Sequence, residues 1–157
     1  LLGLADPQRE MLSLFRHAKH LQKRFWRSGV MVSFPRICHE VGSFSPDYTI
    51  TDRQLVQYIL AFRICLPDVP LVLSTRESAA FRDGMAGIGI SRMSVASRTT
   101  VGGYGETPAE DEGQFDVQDV RDVRVFCDAM RSKGLEPVFK NWDTVFQSEA
   151  GSAKAAN

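Results

Sequence analysis

The strongest constraint on the fold is an alternation. Short runs rich in β-forming residues, at 30–37, 71–76 and 92–99, are separated by longer stretches in which apolar residues recur at helical spacing. Strands that alternate with helices form βαβ units, and such units build a parallel sheet with helices against it. A doubly wound open sheet satisfies the same order as a β/α barrel. No GxGxxG or GxxxxGK[ST] loop joins a strand to its helix, so a nucleotide-binding open sheet loses its usual support.

The helices carry their own punctuation. Asp6 before Pro7 predicts a helix over 7–27, with Leu14, Phe15, Ala18, Leu21 and Phe25 on an apolar stripe. Phe15, Phe25 and Trp26 are therefore expected in the core. Thr51 and Gln54 form a capping-box pattern ahead of a second helix that stops before Pro67. A weaker helix is expected at 78–86 and another near 119–133, closed by Gly134. A short strand is expected at 137–139, and the tail 149–157 has the composition of a disordered segment.

Each predicted strand ends near an arginine. Side chains alternate between the faces of a strand, which groups Val32, Phe34 and Arg36, then Val72, Ser74 and Arg76, then Ser94, Ala96 and Arg98. The larger aliphatics Met31, Leu71, Leu73, Met93 and Val95 form the other set, expected against the helices. The arginine set would then line the inner face. In a β/α barrel the ligand site lies at the carboxyl ends of the strands, where three guanidiniums would offer two-point grips for carboxylates. The bland alternative pairs each arginine with a nearby acid, Arg76 with Glu77 for example. A loop containing Gly102, Gly103 and Tyr104 follows the last strand and could approach an anion with backbone N–H groups.

Other chemistry is thin. His17 and His20 are expected on an outward helix face, while His39 lies close to the first strand end. Cys38, Cys65 and Cys127 are too few and too scattered for a disulfide framework or a metal cluster, so packed thiols in a reducing cytoplasm are expected. Nineteen basic and nineteen acidic residues leave no global field to draw nucleic acid or a membrane surface.

The blocks Val32-Ser33-Phe34-Pro35-Arg36, Leu73-Ser74-Thr75-Arg76-Glu77 and Ser94-Val95-Ala96-Ser97-Arg98-Thr99, followed by Gly102-Gly103-Tyr104 and Gln114-Phe115, resemble successive blocks of the aromatic amino acid lyases of the radical S-adenosylmethionine superfamily. The cysteine-free run from Val138 to Asp143 resembles the tyrosine-cleaving branch rather than the hydrogenase-maturase branch. That resemblance implies the C-terminal half of a (β/α)8 barrel, about four parallel strands over residues 1–148. It implies cleavage of the tyrosine Cα–Cβ bond to p-cresol and 2-iminoacetate, for the thiazole of thiamine, with thiazole synthase as partner. A [4Fe-4S] cluster and S-adenosylmethionine serve as cofactors in that family, but its CxxxCxxC motif is absent from these residues, so the isolated chain is expected to be inactive. By resemblance Arg76 grips the substrate carboxylate, Ser94 and Ser97 are its polar neighbours, and Arg36 and Arg98 lie near the carboxylate of substrate or S-adenosylmethionine.

The same resemblance makes residues 1–4 the end of a fifth strand. A half barrel exposes sheet edges, so a homodimer of half barrels is expected. The competing class is a stand-alone binding module for an amino acid or other anion, without radical chemistry.

Overall fold

In a computed structural model that describes residues 1–37, 46–99 and 117–139, the chain is an α/β unit on a three-stranded parallel sheet. Helix α1 spans Pro7–Arg24, β1 Val32–Ser33, α2 Asp52–Cys65, β2 Leu71–Leu73, α3 Ala79–Met85, β3 Arg92–Met93 and α4 Val123–Ser132. The sheet order is β1-β2-β3, with Val32 beside Leu71 and Leu73 beside Met93. Leu2 adds a parallel bridge to Arg36: its N–H donates to the Pro35 carbonyl at 2.8 Å, and its own carbonyl accepts from Ile37 N–H at 2.9 Å. The opening residues thus run as a strand end beside β1, as the sequence predicts.

The caps form where the sequence places them. Asp6 accepts from Arg9 N–H at 2.9 Å, and Thr51 and Gln54 satisfy each other's backbone N–H groups reciprocally at the start of α2. Gly134, with φ +75, takes the left-handed position that ends α4. Leu55, Ile59 and Phe62 of α2 lie at helical spacing and are buried against Val32, Phe34, Leu71 and Leu73 of the sheet. Phe62 receives Phe34 and Phe15 edge-on, with ring centroids 5.2 and 6.2 Å away.

Several expectations are corrected. On β2 and β3 the faces fall as the alternation predicts, with Leu71, Leu73 and Met93 turned toward the helices. On β1 they are reversed. Val32 pairs with Leu71, which puts Val32 and Phe34 in the helix-covered core and leaves Met31 and Ser33 exposed on the opposite side. The apolar alternation Val30, Val32, Phe34 decides the register here, because it buries more than Met31 alone would. The third strand stops at Met93 rather than Thr99, since Ala96 adopts φ 52, a left-handed conformation that breaks the alternation joining Ser94 to Arg98.

Helix α1 ends at Arg24, so Phe25 and Trp26 leave the apolar stripe and are exposed. Cys127 is buried as expected, whereas Cys65, at the last turn of α2, is exposed. Residues 137–139 form no strand: they have no ladder partner among the described residues, and Val138 and Phe139 are exposed. Cys38, His39, the 102–104 loop, Gln114, Phe115 and the 149–157 tail lie outside the described residues. No helix among those described is long and apolar enough to cross a membrane.

Candidate functional site

Parallel strands end together, so the residues that follow β1, β2 and β3 share one rim of the sheet. The rim holds Arg36, then Ser74 to Glu77, then Ser94 to Arg98. It also receives the segment before α4. Gln118 and Asp119 both donate backbone N–H groups to the Thr75 carbonyl, at 3.0 and 3.1 Å. Thr75 N–H in turn donates to Ser94 Oγ at 3.1 Å, which joins the ends of β2 and β3.

Arg36 is taken up by acids of its own chain. Its Nε and Nη2 donate to the Glu77 carboxylate at 3.1 and 2.6 Å, Nη2 also reaches Asp52 at 2.5 Å, and Nη1 donates to the Ile50 carbonyl at 2.8 Å. The Phe81 ring lies 5.5 Å below the guanidinium. Burial alone would lower the Arg36 pKa, but the hydrogen bonds to Glu77 and Asp52 outweigh it and hold it above the usual value. Glu77 is 2% exposed, and it pairs with Arg36 rather than with its neighbour Arg76. The geometry makes Arg36 a brace from β1 to the end of β2.

The other predicted residues lie along the same rim. Arg76 and the side chains of Ser94 and Ser97 are half-buried, and Arg98 is exposed. A serine hydroxyl that accepts a backbone N–H still has its own hydrogen to donate, so Ser94 keeps a free-turning donor at the rim. Its carbonyl is held by Arg82 Nη2.

Arg82 belongs to a network that sequence reading missed. It is 1% exposed, and its Nη1 contacts Asp119, itself 2% exposed. Arg121 grips the same Asp119 through Nε at 2.9 Å and Nη2 at 2.7 Å, and takes Asp83 in a two-point bond at 3.0 and 2.9 Å. Phe126 of α4 stacks beneath both arginines, 5.0 Å from Arg82 and 5.5 Å from Arg121. Hydrogen bonds from Arg121 are the main cause that holds Asp119 below the usual carboxylate range, against the opposing effect of burial, and Arg82 adds its charge. Burial pulls Arg82 down, partly offset by Asp119. The signal was the pair Arg82-Asp83 in a weak helix together with Asp119 and Arg121 two apart, but no pattern of spacing links positions 37 residues distant.

The residues do not fit an iron-sulfur cluster. The sequence has three cysteines and no CxxxCxxC run, and no group of three or more His, Cys, Asp and Glu stands together among the described residues.

Residues 33–136 match the family described as the Biotin and Thiamin Synthesis associated domain. The chain belongs to that family. This Biotin and Thiamin Synthesis associated domain is 39% identical over 145 residues to a 2-iminoacetate synthase of Salmonella typhimurium strain LT2, and 40% identical over 145 residues to that of Escherichia coli strain K12. In each case the match covers 92% of this chain and 38% of the relative. Among solved structures it is similar to HydG, a maturase of the [FeFe]-hydrogenase, with TM-score 0.79 and 30% identity over 90% of this chain and 31% of that one. HydG from Carboxydothermus hydrogenoformans gives TM-score 0.76 and 36% identity over 89% of this chain and 32% of its own. The resemblance read from the strand-end blocks is thus borne out, and the domain spans well under half of the relatives that it matches.

Proposed function

We propose that this domain is the C-terminal, carboxylate-gripping part of a tyrosine lyase of the 2-iminoacetate synthase type, acting in a reducing cytoplasm. The reaction is cleavage of the tyrosine Cα–Cβ bond to p-cresol and 2-iminoacetate for the thiazole of thiamine. The observation that carries the reading is the 39% and 40% identity to two such synthases over 92% of the chain. The rim chemistry agrees with it. Arg76 and Arg98 offer guanidinium forks to the carboxylate of tyrosine or of S-adenosylmethionine, and Ser94 and Ser97 offer hydroxyl donors beside them. Arg36 shares the rim, with its charge offset by Glu77 and Asp52.

The parallel sheet and the Leu2 bridge fit the second half of a (β/α)8 barrel, whose other strands would continue beyond the Leu2 segment on one side and β3 on the other. The cluster that starts the radical chemistry would be held by residues outside these 157. A strand edge unpaired among the described residues also favours association, so a homodimer of half barrels for the isolated chain, and docking to thiazole synthase for the whole enzyme, are parts of the same proposal.

The test is to express the full reading frame under anaerobic conditions, reconstitute its cluster, and assay p-cresol from tyrosine with S-adenosylmethionine and a reductant. Stoichiometric p-cresol supports the reading. Absence of p-cresol, or a reading frame without CxxxCxxC, overturns it and favours an anion-binding module, which calorimetric titration of the 157-residue chain with tyrosine would then detect.

A further inference from the structure

We propose that Arg82 is a positioning residue, which fixes the turn after β3 so that Ser94, Ser97 and Arg98 are aimed together at one ligand carboxylate; this rests on the carboxylate reading above. The turn needs an external hold. It leaves the sheet at Met93 and passes through Ala96 in a left-handed conformation that a residue with a Cβ adopts reluctantly. Such a conformation persists only where the surroundings enforce it.

The surroundings are named atoms. Ser94 is clamped on two sides: its hydroxyl accepts from Thr75 N–H at 3.1 Å, and its carbonyl accepts from Arg82 Nη2. Arg82 is itself held, because Asp119 takes Nη1 and the Phe126 ring packs 5.0 Å from the guanidinium carbon. Asp119 is held in turn, since Arg121 holds both of its oxygens and anchors itself on Asp83. The frame therefore transmits the positions of α3 and of the 117–121 segment to a single carbonyl, two residues before the left-handed turn.

The energetics favour geometry over stability as the purpose. A buried ion pair roughly breaks even against well-packed apolar side chains. Arg82 Nε, moreover, is buried with no acceptor among the described residues, which is unfavourable in itself. What arginine provides, and lysine lacks, is a rigid fork that serves two acceptors at a fixed angle. Here those acceptors are Asp119 and the Ser94 carbonyl.

The test uses the full-length protein and titration calorimetry with two probes, L-tyrosine and tyramine, which lacks the carboxylate. Arg82→Lys should weaken tyrosine binding at least tenfold and change tyramine binding less than twofold, with the melting temperature close to that of the parent. Equal effects on both probes, or none on either, overturn the proposal. If Arg82→Lys does not fold, Asp119→Asn, which is isosteric and leaves the Ser94 bond in place, is judged by the same selectivity with an expected loss of about threefold. Arg98→Gln separates the two readings. Loss of tyrosine affinity in Arg98→Gln but not in Arg82→Lys defeats the positioning role alone, whereas retention in both defeats the carboxylate site itself.

Discussion

Arg36 and Glu77, 41 residues apart in sequence, meet through two guanidinium nitrogens and both carboxylate oxygens at the carboxyl ends of adjacent strands. The acid is almost wholly buried and the base is 14% exposed, while the second acid on Arg36, Asp52, is 66% exposed. The two acids therefore differ in what their removal costs. Glu77→Gln should destabilise by roughly 1–3 kcal/mol, because a charged partner is lost from a desolvated guanidinium. Asp52→Asn should cost under about 1 kcal/mol, as expected for an exposed pair. Urea denaturation of the two variants checks the order, and equal losses would contradict it.

The reversed face of β1 makes a separate prediction. Phe34→Ala should cost about 3–5 kcal/mol, since Phe34 is 2% exposed and packs edge-on against Phe62. Met31→Ser should change stability by no more than about 0.5 kcal/mol, as Met31 is 55% exposed. Thermal unfolding of both variants would show the opposite ranking if the arginine-aligned face assignment were correct.

Asp119 supplies a pH dependence. Its folded pKa lies below the ordinary value of 3.8, chiefly through the hydrogen bonds from Arg121. The folded state therefore binds its proton less readily than the unfolded chain does. The stabilisation is complete above about pH 4 and is lost as pH falls through the folded value. Stability measured between pH 7 and pH 3 should decline less steeply at the acid end in Asp119→Asn, which starts lower. Parallel curves for parent and variant would exclude this carboxylate as a source of acid sensitivity.

Ala96, at φ 52, offers a substitution expected to help. Glycine adopts that conformation without a Cβ penalty, although it gives the unfolded chain more freedom. Ala96→Gly should be neutral or stabilising by up to about 1 kcal/mol, and Ala96→Val should lower the melting temperature. A fall in melting temperature for Ala96→Gly would mean that the surroundings need the methyl group.

Local signals were legible because they involve neighbours in sequence. Asp6 and Pro7, Thr51 and Gln54, and Gly134 each mark a helix boundary through groups within a few residues, and the structure places the boundaries there. The parallel sheet followed from alternation alone. The faces of β1 did not, because aligning strands by their terminal arginines assumed one role for all three. Arg36 does share a face with Val32 and Phe34, but that face is the helix-covered one, where it meets acids at the start of α2 and just after β2. The end of β3 was overread for a related reason: a left-handed alanine leaves no compositional trace. The Arg82, Asp119 and Arg121 network depends on the folding back of residues 117–121, which no periodicity encodes.

The attachment of that segment has a further consequence. Gln118 and Asp119 reach the Thr75 carbonyl through main-chain N–H groups, and every amino acid except proline supplies such a group. Side chains at position 118 can drift without releasing the segment, so relatives can vary its chemistry while keeping its path. Proline at 118 is the one replacement there that removes a main-chain anchor directly, which makes this attachment robust to most changes at 118 and brittle to a single kind.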